Sequence, residues 1–87
     1  MLTRAYSGRA GRALANDYVR AAAARDAPAP APYPVQRGLT GPMRRDAVQR
    51  GNRATLQAWA GQAARLAAEE PAGDLLRRLW REARELL

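Results

Sequence analysis

Few side chains in this sequence are of the types that perform catalysis or bind metal ions. The 87 residues include no His and no Cys, so they cannot form a structural zinc site of the Cys/His type, a Ser–His or Cys–His nucleophile pair, or a disulfide. Ser7 is the only serine, and no base is available to activate it. General acid–base chemistry would rest on eight carboxylates and three tyrosines. The composition therefore predicts no catalytic residue of its own and no metal site.

Arginine supplies every positively charged side chain, and its distribution along the chain is uneven. Residues 1–53 contain ten Arg and three acidic residues, a net charge of +7, whereas residues 54–87 contain five of each. A basic surplus is typical of nucleic-acid-binding surfaces. The abundance of Ala, Gly and Pro equally indicates a simple bias towards these residue types. No aromatic platform is interleaved with the arginines, so we do not expect specific nucleic-acid binding.

The chain is long enough for one small domain, but its supply of large apolar side chains is limited. Of 41 apolar residues, 21 are alanine, which leaves 20 larger ones to form a core. We therefore expect the chain to pack against a partner surface. No segment has the apolar centre of a signal peptide, and no stretch approaches the length of a membrane span. These observations predict no membrane association and a cytoplasmic location.

Residues 1–25 are predicted to form a short extended segment followed by a helix. Residues 3–9 are suited to one short strand that ends at Gly8. The composition from Gly11 to Arg25 is helical, because four apolar residues share one face of a helix: Leu14, Tyr18, Ala21 and Ala22.

Residues 26–38 are predicted to form a proline-rich extended linker. Prolines occupy every second position from Pro28 to Pro34. This spacing excludes a helix and favours a polyproline-type path that acts as a semi-rigid spacer.

Residues 39–87 are predicted to form three helices. The first starts after Thr40 as N-cap, with Pro42 in its first turn, and ends near Gly51. The second covers Ala54–Glu70. The third starts at Pro71, or at Asp74 as its cap, and has an apolar Leu75–Leu87 face opposite a charged face, with Asp74 and Arg78 as an ion pair. The expected fold class is thus mostly α, with three to four helices around the linker.

Four residues stand out as candidates for contact with a ligand. Gly61 lies inside the predicted second helix, where glycine is unfavourable, which indicates the close approach of a ligand or of another backbone. Gln62 lies at the edge of the apolar stripe, where its amide could reach a pocket. Tyr33 is either a residue at the mouth of a pocket or an aromatic anchor for the proline segment. Trp59 has the spacing of a core residue and is a second candidate for a substrate pocket.

Four stretches of the sequence resemble, in order, segments of the nitronate monooxygenase family, the FMN-dependent (β/α)8-barrel flavoproteins formerly called 2-nitropropane dioxygenases. They are Leu2–Arg9 with Ala13, Leu14 and Asn16; Pro32–Gln36 with Leu39 and Thr40; Leu56–Gln62; and Pro71–Leu79. The resemblance covers nearly all of the chain. It implies that the chain is the C-terminal helical part of such a barrel, because the family's glycine-rich phosphate loops and catalytic histidine lie upstream of the first stretch.

The resemblance also implies what the chain does. The family oxidises alkyl nitronates with FMN and dioxygen, so this chain would contribute to that reaction only as part of a whole enzyme. There, Gly61 and Gln62 would contact the cofactor, and Tyr33 and Trp59 would line the substrate pocket. Alone, the chain is expected to bind no FMN and to be inactive. Its partner would be the upstream barrel, or a second copy through the Leu75–Leu87 face. The alternatives are an Arg-rich nucleic-acid-binding module and a helical protein-interaction module.

Overall fold

The computed structural model describes residues 1–87 and begins with a small β-hairpin. Strand β1, Leu2–Thr3, pairs antiparallel with β2, Gly11–Arg12, so that Leu2 lies opposite Arg12. The predicted extended segment over residues 3–9 is therefore wrong beyond its first residue, because residues 5–7 form the turn that reverses the chain. The single expected strand is replaced by a two-stranded hairpin.

Helix α1, Asp17–Ala22, is much shorter than the helix predicted from Gly11 to Arg25. The backbone of residues 11–13 is used in β-pairing, which a helix cannot share. Asn16 then starts the helix, because its side-chain oxygen accepts a hydrogen bond from the Val19 N–H at 3.0 Å.

Residues 28–32 of the proline segment have no regular secondary structure, residues 33–34 form a turn, and a short helix, α2, follows at Val35–Leu39. The prediction of an extended linker over residues 26–38 is therefore wrong at both ends, where residues 26–27 and 33–34 lie in turns or bends and residues 35–38 are helical. All four prolines precede the helix, and Pro34 occupies the N-cap position, where the absence of an N–H costs no hydrogen bond. The peptide bond between Tyr33 and Pro34 is cis.

Helix α3, Gly41–Arg50, confirms the predicted first helix of residues 39–87. Pro42 lies in its first turn, and Gly51 ends it with a left-handed φ of +63°. Thr40 is at the N-cap position as predicted, but its side chain does not cap the helix. The Thr40 hydroxyl donates instead to the Tyr6 carbonyl at 2.6 Å, which ties α3 to the hairpin turn.

The predicted helix over Ala54–Glu70 is wrong. Trp59 forms an antiparallel bridge with Ala13, so the backbone around Trp59 lies alongside the end of β2 as a third extended segment of the hairpin sheet. The Leu14 N–H donates to the Ala58 carbonyl at 3.0 Å, and the Ala60 N–H donates to the Arg12 carbonyl at 3.0 Å. Only a single 3₁₀ turn, Ala64–Leu66, is helical.

Helix α4, Ala72–Glu85, confirms the predicted last helix and begins immediately after Pro71. Its ion pairs differ from the prediction. Asp74 pairs with Arg77 at 3.2 Å rather than with Arg78. Arg78 pairs with Glu70 at 2.6 Å and with Glu82 at 3.4 Å. Four α-helices and one hairpin therefore make a mostly helical structure.

The core is small and is formed by residues from the first half of the chain. Tyr6, Ala13 and Val19 form a buried cluster, with Tyr18 and Met43 packed against it. We call residues 1–60 the body and residues 61–87 the tail. No hydrogen bond or ion pair joins the tail to the body.

The chain as a whole is less compact than a globular domain of this length, because its radius of gyration is 16.8 Å, against about 12 Å for a compact chain. None of the helices has both the length and the apolar character needed to cross a bilayer.

Candidate functional site

The side chain of Tyr6 is the centre of the body. It is 1% exposed, and its hydroxyl donates to the Leu56 carbonyl at 3.0 Å. The Asn16 amide donates to that hydroxyl at 2.9 Å and to the same Leu56 carbonyl at 2.8 Å. Because Asn16 also caps α1, one buried network fixes the hairpin turn, the start of α1 and the Leu56 segment relative to one another.

The backbone of the same turn is held from its other side. The Ala5 carbonyl accepts hydrogen bonds from the Tyr18 hydroxyl at 3.0 Å and from the Gln36 amide at 2.7 Å. The Gln36 side-chain oxygen in turn accepts from the Ala31 N–H at 3.0 Å. Together with the bond from Thr40 to Tyr6, these contacts attach the turn to α1, α2 and α3.

Three aromatic rings pack together next to this network. The Tyr6 ring lies 5.1 Å from that of Tyr18 and 5.9 Å from that of Trp59, the second pair edge to face. Trp59 also covers Gly11, where a Cβ atom would lie 2.7 Å from the indole ring. Burial is the main cause that raises the pKa of Tyr18, and the neighbouring Tyr6 raises it further. The hydrogen bond with Gln36 lowers it by less than these two raise it. The Tyr18 hydroxyl therefore stays a neutral donor in this cluster.

Gly8 closes the turn against the proline segment. Its φ is +88°, and a Cβ atom there would lie 2.5 Å from the Tyr33 nitrogen and 2.6 Å from the Ala31 oxygen. Only glycine permits this approach. The Arg9 guanidinium lies 4.2 Å from the centre of the Tyr33 ring, which is a cation–π distance.

An apolar groove of about 710 Å³ lies between β1, α1 and the proline segment. Arg4 is the one charged residue on its wall, and its guanidinium donates to the Gly8 carbonyl at 3.2 Å. The groove is suited to an apolar occupant. Larger or stiffer side chains on its wall include Leu2, Tyr18, Pro28, Pro30 and Leu39.

The four residues singled out from the sequence occupy three places. Trp59 belongs to the Tyr6 cluster and is 48% exposed. Tyr33 lies with Arg9 at the other end of the turn. Gly61 and Gln62 follow Trp59 on the exposed stretch that begins the tail, and a Cβ atom on Gly61 would have no neighbour within 4 Å. The structure therefore does not bring these four residues into one site.

Sequence reasoning missed the residues that do converge, namely Tyr6, Asn16, Tyr18, Gln36 and Thr40. The family resemblance was the one feature of the sequence that could have identified most of them. The stretches that carry it include Tyr6, Asn16, Gln36 and Thr40. Three of those four stretches meet around Tyr6, while the fourth lies in the tail.

The arrangement is suited to holding its own segments in place rather than to acid–base chemistry. Every buried side-chain nitrogen or oxygen has a hydrogen-bond partner. No three acidic side chains lie close enough together to hold a metal ion. The Tyr6 and Tyr18 hydroxyls are both used in bonds to backbone carbonyls.

Comparisons with known proteins agree with the resemblance. The sequence model of the family "Nitronate monooxygenase" matches residues 1–82. A nitronate monooxygenase of Pseudomonas aeruginosa is 42% identical over 83 residues, which are 95% of this chain and 24% of the relative. A probable nitronate monooxygenase of Staphylococcus haemolyticus is 33% identical over 87 residues, 100% of this chain and 24% of the relative.

The chain therefore spans about a quarter of the length of the curated relatives that it matches. A probable nitronate monooxygenase of Staphylococcus aureus, 26% identical over 87 residues, shows the same proportion. Since the match extends over nearly all of the residues, in both body and tail, the chain belongs to the nitronate monooxygenase family.

Proposed function

We propose that this chain is the C-terminal segment of a cytoplasmic FMN-dependent oxidoreductase that oxidises alkyl nitronates with dioxygen, and that it is inactive alone. The observation that carries the proposal is the family match over residues 1–82 to about a quarter of each relative. The buried Tyr6 network supports it, because it gives this quarter a defined conformation without providing groups for chemistry.

Two backbone donors in the turn of residues 5–9 are not free to bind the phosphate of a flavin. A phosphate cradle needs several free N–H groups that converge. In the turn of residues 5–9, the Gly8 N–H donates to the Arg4 carbonyl at 2.8 Å, and the Arg9 N–H donates to the Ser7 hydroxyl at 3.3 Å. These donors are already used within the chain. The proposed function therefore assigns the phosphate of FMN to residues outside this chain.

Gly61 and Gln62 remain our proposed flavin contacts in the whole enzyme, with Tyr33 and Trp59 near the substrate. Two features support this assignment. The bridge between Trp59 and Ala13 fixes the stretch just before Gly61. The Gln62 side chain is exposed, so it is accessible to a group bound from outside.

The arginine surplus does not favour the alternative of a nucleic-acid-binding module. Four of the ten arginines in residues 1–53 are engaged within the chain, since Arg4 donates to the Gly8 carbonyl and Arg50 pairs with Asp46. Arg9 stacks on Tyr33. Arg44 donates to Thr40, to the Gln57 amide oxygen at 3.2 Å and to the Arg37 carbonyl at 3.0 Å.

Titration of FMN fluorescence tests the inactive-alone part of the proposal. We expect the purified chain to be colourless and to leave the fluorescence of micromolar FMN unchanged, because the family's glycine-rich phosphate loops lie upstream of the segments that this chain resembles. Saturable quenching at micromolar concentrations would contradict this and would place a flavin site within these 87 residues.

A chimera tests the family role directly. The matched quarter of the Pseudomonas aeruginosa relative is replaced by this chain, and flavin content and oxygen consumption with the nitronate of 2-nitropropane are measured. We expect a yellow, active chimera. Gln62→Ala should lower its flavin affinity, whereas Gln49→Ala, on the exposed side of α3, should not. A soluble chimera without flavin would contradict the proposed function.

A further inference from the structure

We propose that Tyr6 and Asn16 are positioning residues for Gln62, and that they act through the backbone carbonyl of Leu56, which both side chains hold. The inference rests on the proposed function, in which Gln62 contacts the flavin. It goes beyond that function, because neither Tyr6 nor Asn16 would touch the ligand. Their role would be to fix the stretch of chain that carries the residue in contact.

The Leu56 carbonyl accepts hydrogen bonds from two side chains that are distant along the sequence. The Tyr6 hydroxyl, 50 residues away, donates to it at 3.0 Å, and the Asn16 amide, 40 residues away, donates at 2.8 Å. The Tyr6 side chain is buried, so water competes little for these bonds. The position of the carbonyl is therefore set by the hairpin turn and by the start of α1.

From Leu56 onwards the backbone stays attached to the hairpin as far as Ala60. The Ala58 carbonyl accepts from the Leu14 N–H at 3.0 Å, and the Ala60 N–H donates to the Arg12 carbonyl at 3.0 Å. No helix lies within this stretch. A displacement of the Leu56 carbonyl would therefore be transmitted along a short, directly bonded segment.

Gln62 lies just beyond the last of these bonds. The Ala64 N–H donates to the Gly61 carbonyl at 3.2 Å, so Gln62 occupies the turn that leads into the 3₁₀ turn Ala64–Leu66. Its side chain is exposed. An amide offers both a donor and an acceptor, which match the carbonyl and N–H groups of a flavin ring. The entry of this turn is thus held by the body, and its polar tip faces outward.

The Ala5 carbonyl supplies a matched control, because it too accepts from one tyrosine and one amide. The Tyr18 hydroxyl donates to it at 3.0 Å and the Gln36 amide at 2.7 Å. These bonds connect the hairpin turn to α1 and α2 and make no contact with the stretch before Gln62. Loss of a donor at either carbonyl should destabilise the body to a similar extent. Only loss at Leu56 should displace Gln62.

The first test uses the isolated chain and needs no flavin. Tyr6→Phe and Tyr18→Phe each remove one hydroxyl and keep the ring. We expect the Ala60 amide hydrogen to exchange several-fold faster in Tyr6→Phe than in Tyr18→Phe, because the stretch that it belongs to opens more easily. Hydrogen exchange followed by NMR measures both rates. Equal rates in the two variants would overturn the inference.

The second test measures FMN affinity in the chimera. Asn16→Asp can still accept from the Val19 N–H and cap α1, but it cannot donate to the Leu56 carbonyl. We expect the FMN dissociation constant to rise about fivefold to tenfold, which corresponds to about one lost hydrogen bond. Gln36→Glu adds the same charge and can still accept from the Ala31 N–H, so it should leave the dissociation constant unchanged.

A double-mutant cycle separates positioning from a general loss of stability. If Asn16 acts through Gln62, Asn16→Asp should not weaken FMN binding further in a chimera that already carries Gln62→Ala. Additive effects, or a flavin-loaded chimera indifferent to Asn16→Asp, would overturn the inference and leave the proposed function intact. A chimera that never binds flavin contradicts the proposed function and the positioning role that rests on it.

Discussion

The body holds every buried side chain of the molecule, and the tail holds none. The buried residues all lie between Ala5 and Ala47, although α4 in the tail is the longest helix and has the most regular apolar face. The comparison shows that amphipathic periodicity is sufficient to make a helix but not to bury it. Burial depends on a second surface, and only the body contains one.

The polar bonds of the two regions differ in the same way. In the body, Tyr6 bonds to Leu56, 50 residues away, and Thr40 bonds to Tyr6, 34 residues away. In the tail, the longest-range ion pair, between Glu70 and Arg78, spans 8 residues. Bonds of the first kind fix segments relative to one another, whereas bonds of the second kind support only local structure. The body should therefore unfold cooperatively, whereas the tail should fray without a transition of its own.

The largest expected difference is between the two big aromatic truncations. Tyr6→Ala removes a buried ring and leaves the Leu56 carbonyl with one donor fewer, so it should cost about 3–5 kcal/mol and abolish most of the cooperative transition. Trp80→Ala should change the free energy of unfolding by less than about 0.5 kcal/mol, because its ring is exposed. Urea denaturation followed by circular dichroism measures both. Equal costs would mean that the tail is packed in solution.

Substitution of one glycine in the body and one in the tail compares how tightly the backbone of each region is packed. Gly8→Ala forces a left-handed φ of +88° on a residue with a side chain and places a methyl group against the proline segment. We expect a loss of about 2–3 kcal/mol of stability. Gly61→Ala has open space around it and should be close to neutral. The Tm values of the two variants provide the test, and a destabilising Gly61→Ala would show that another segment packs against the start of the tail.

Two asparagine substitutions compare the contribution of the buried Tyr6 network to stability with that of a hydrogen bond in an exposed loop. Asn16→Ala removes the cap of α1 and a donor to the Leu56 carbonyl, so it should cost about 1–2 kcal/mol. Asn52 also accepts a backbone bond, from Ala54, but on an exposed loop. Asn52→Ala should therefore cost less than about 0.5 kcal/mol. If thermal melts showed equal losses, the Tyr6 network would be no more important than a surface turn.

The smallest expected effect appears at alkaline pH. Burial raises the pKa of Tyr18 in the folded state, so its neutral form stabilises the body fully below its ordinary value of 10.0. That contribution is lost as the pH rises through the raised pKa, because the unfolded chain loses the proton first. Tyr18→Phe should therefore make the Tm fall less steeply above pH 10. The control Tyr33→Phe, which changes a half-exposed ring, should show the same fall of Tm as the unmodified chain. The same alkaline profile for both variants would contradict this assignment.

The candidate site was predictable only in part. Tyr33 and Trp59 stood out as aromatic residues in a chain with few of them, and both contact the turn or the cluster around it. Tyr6 and Asn16 stood out only within the family resemblance, because a single long-range hydrogen bond leaves no periodic pattern in a sequence. The groove beside β1 was not predictable, since it is formed by three segments that are distant along the chain.

Local sequence alone determined α3 and α4. Pro42 and Gly51 mark the start and end of α3, and Pro71 precedes α4, whose apolar and charged residues separate cleanly onto two faces. Proline and glycine act through the φ angles and N–H groups of their own turns, so their effect does not depend on the rest of the fold.

Only the tertiary structure decided the conformation of Gly11–Ala13 and of Leu56–Ala60. Both stretches lie in segments with helical composition, yet they pair with each other in the hairpin sheet. Gly11 leaves room for the Trp59 ring, and Asn16 and Tyr6 hold the Leu56 carbonyl. Helix propensity differs by less than about 1 kcal/mol per residue. Long-range pairing that satisfies the same backbone groups and also buries aromatic surface therefore overrides it.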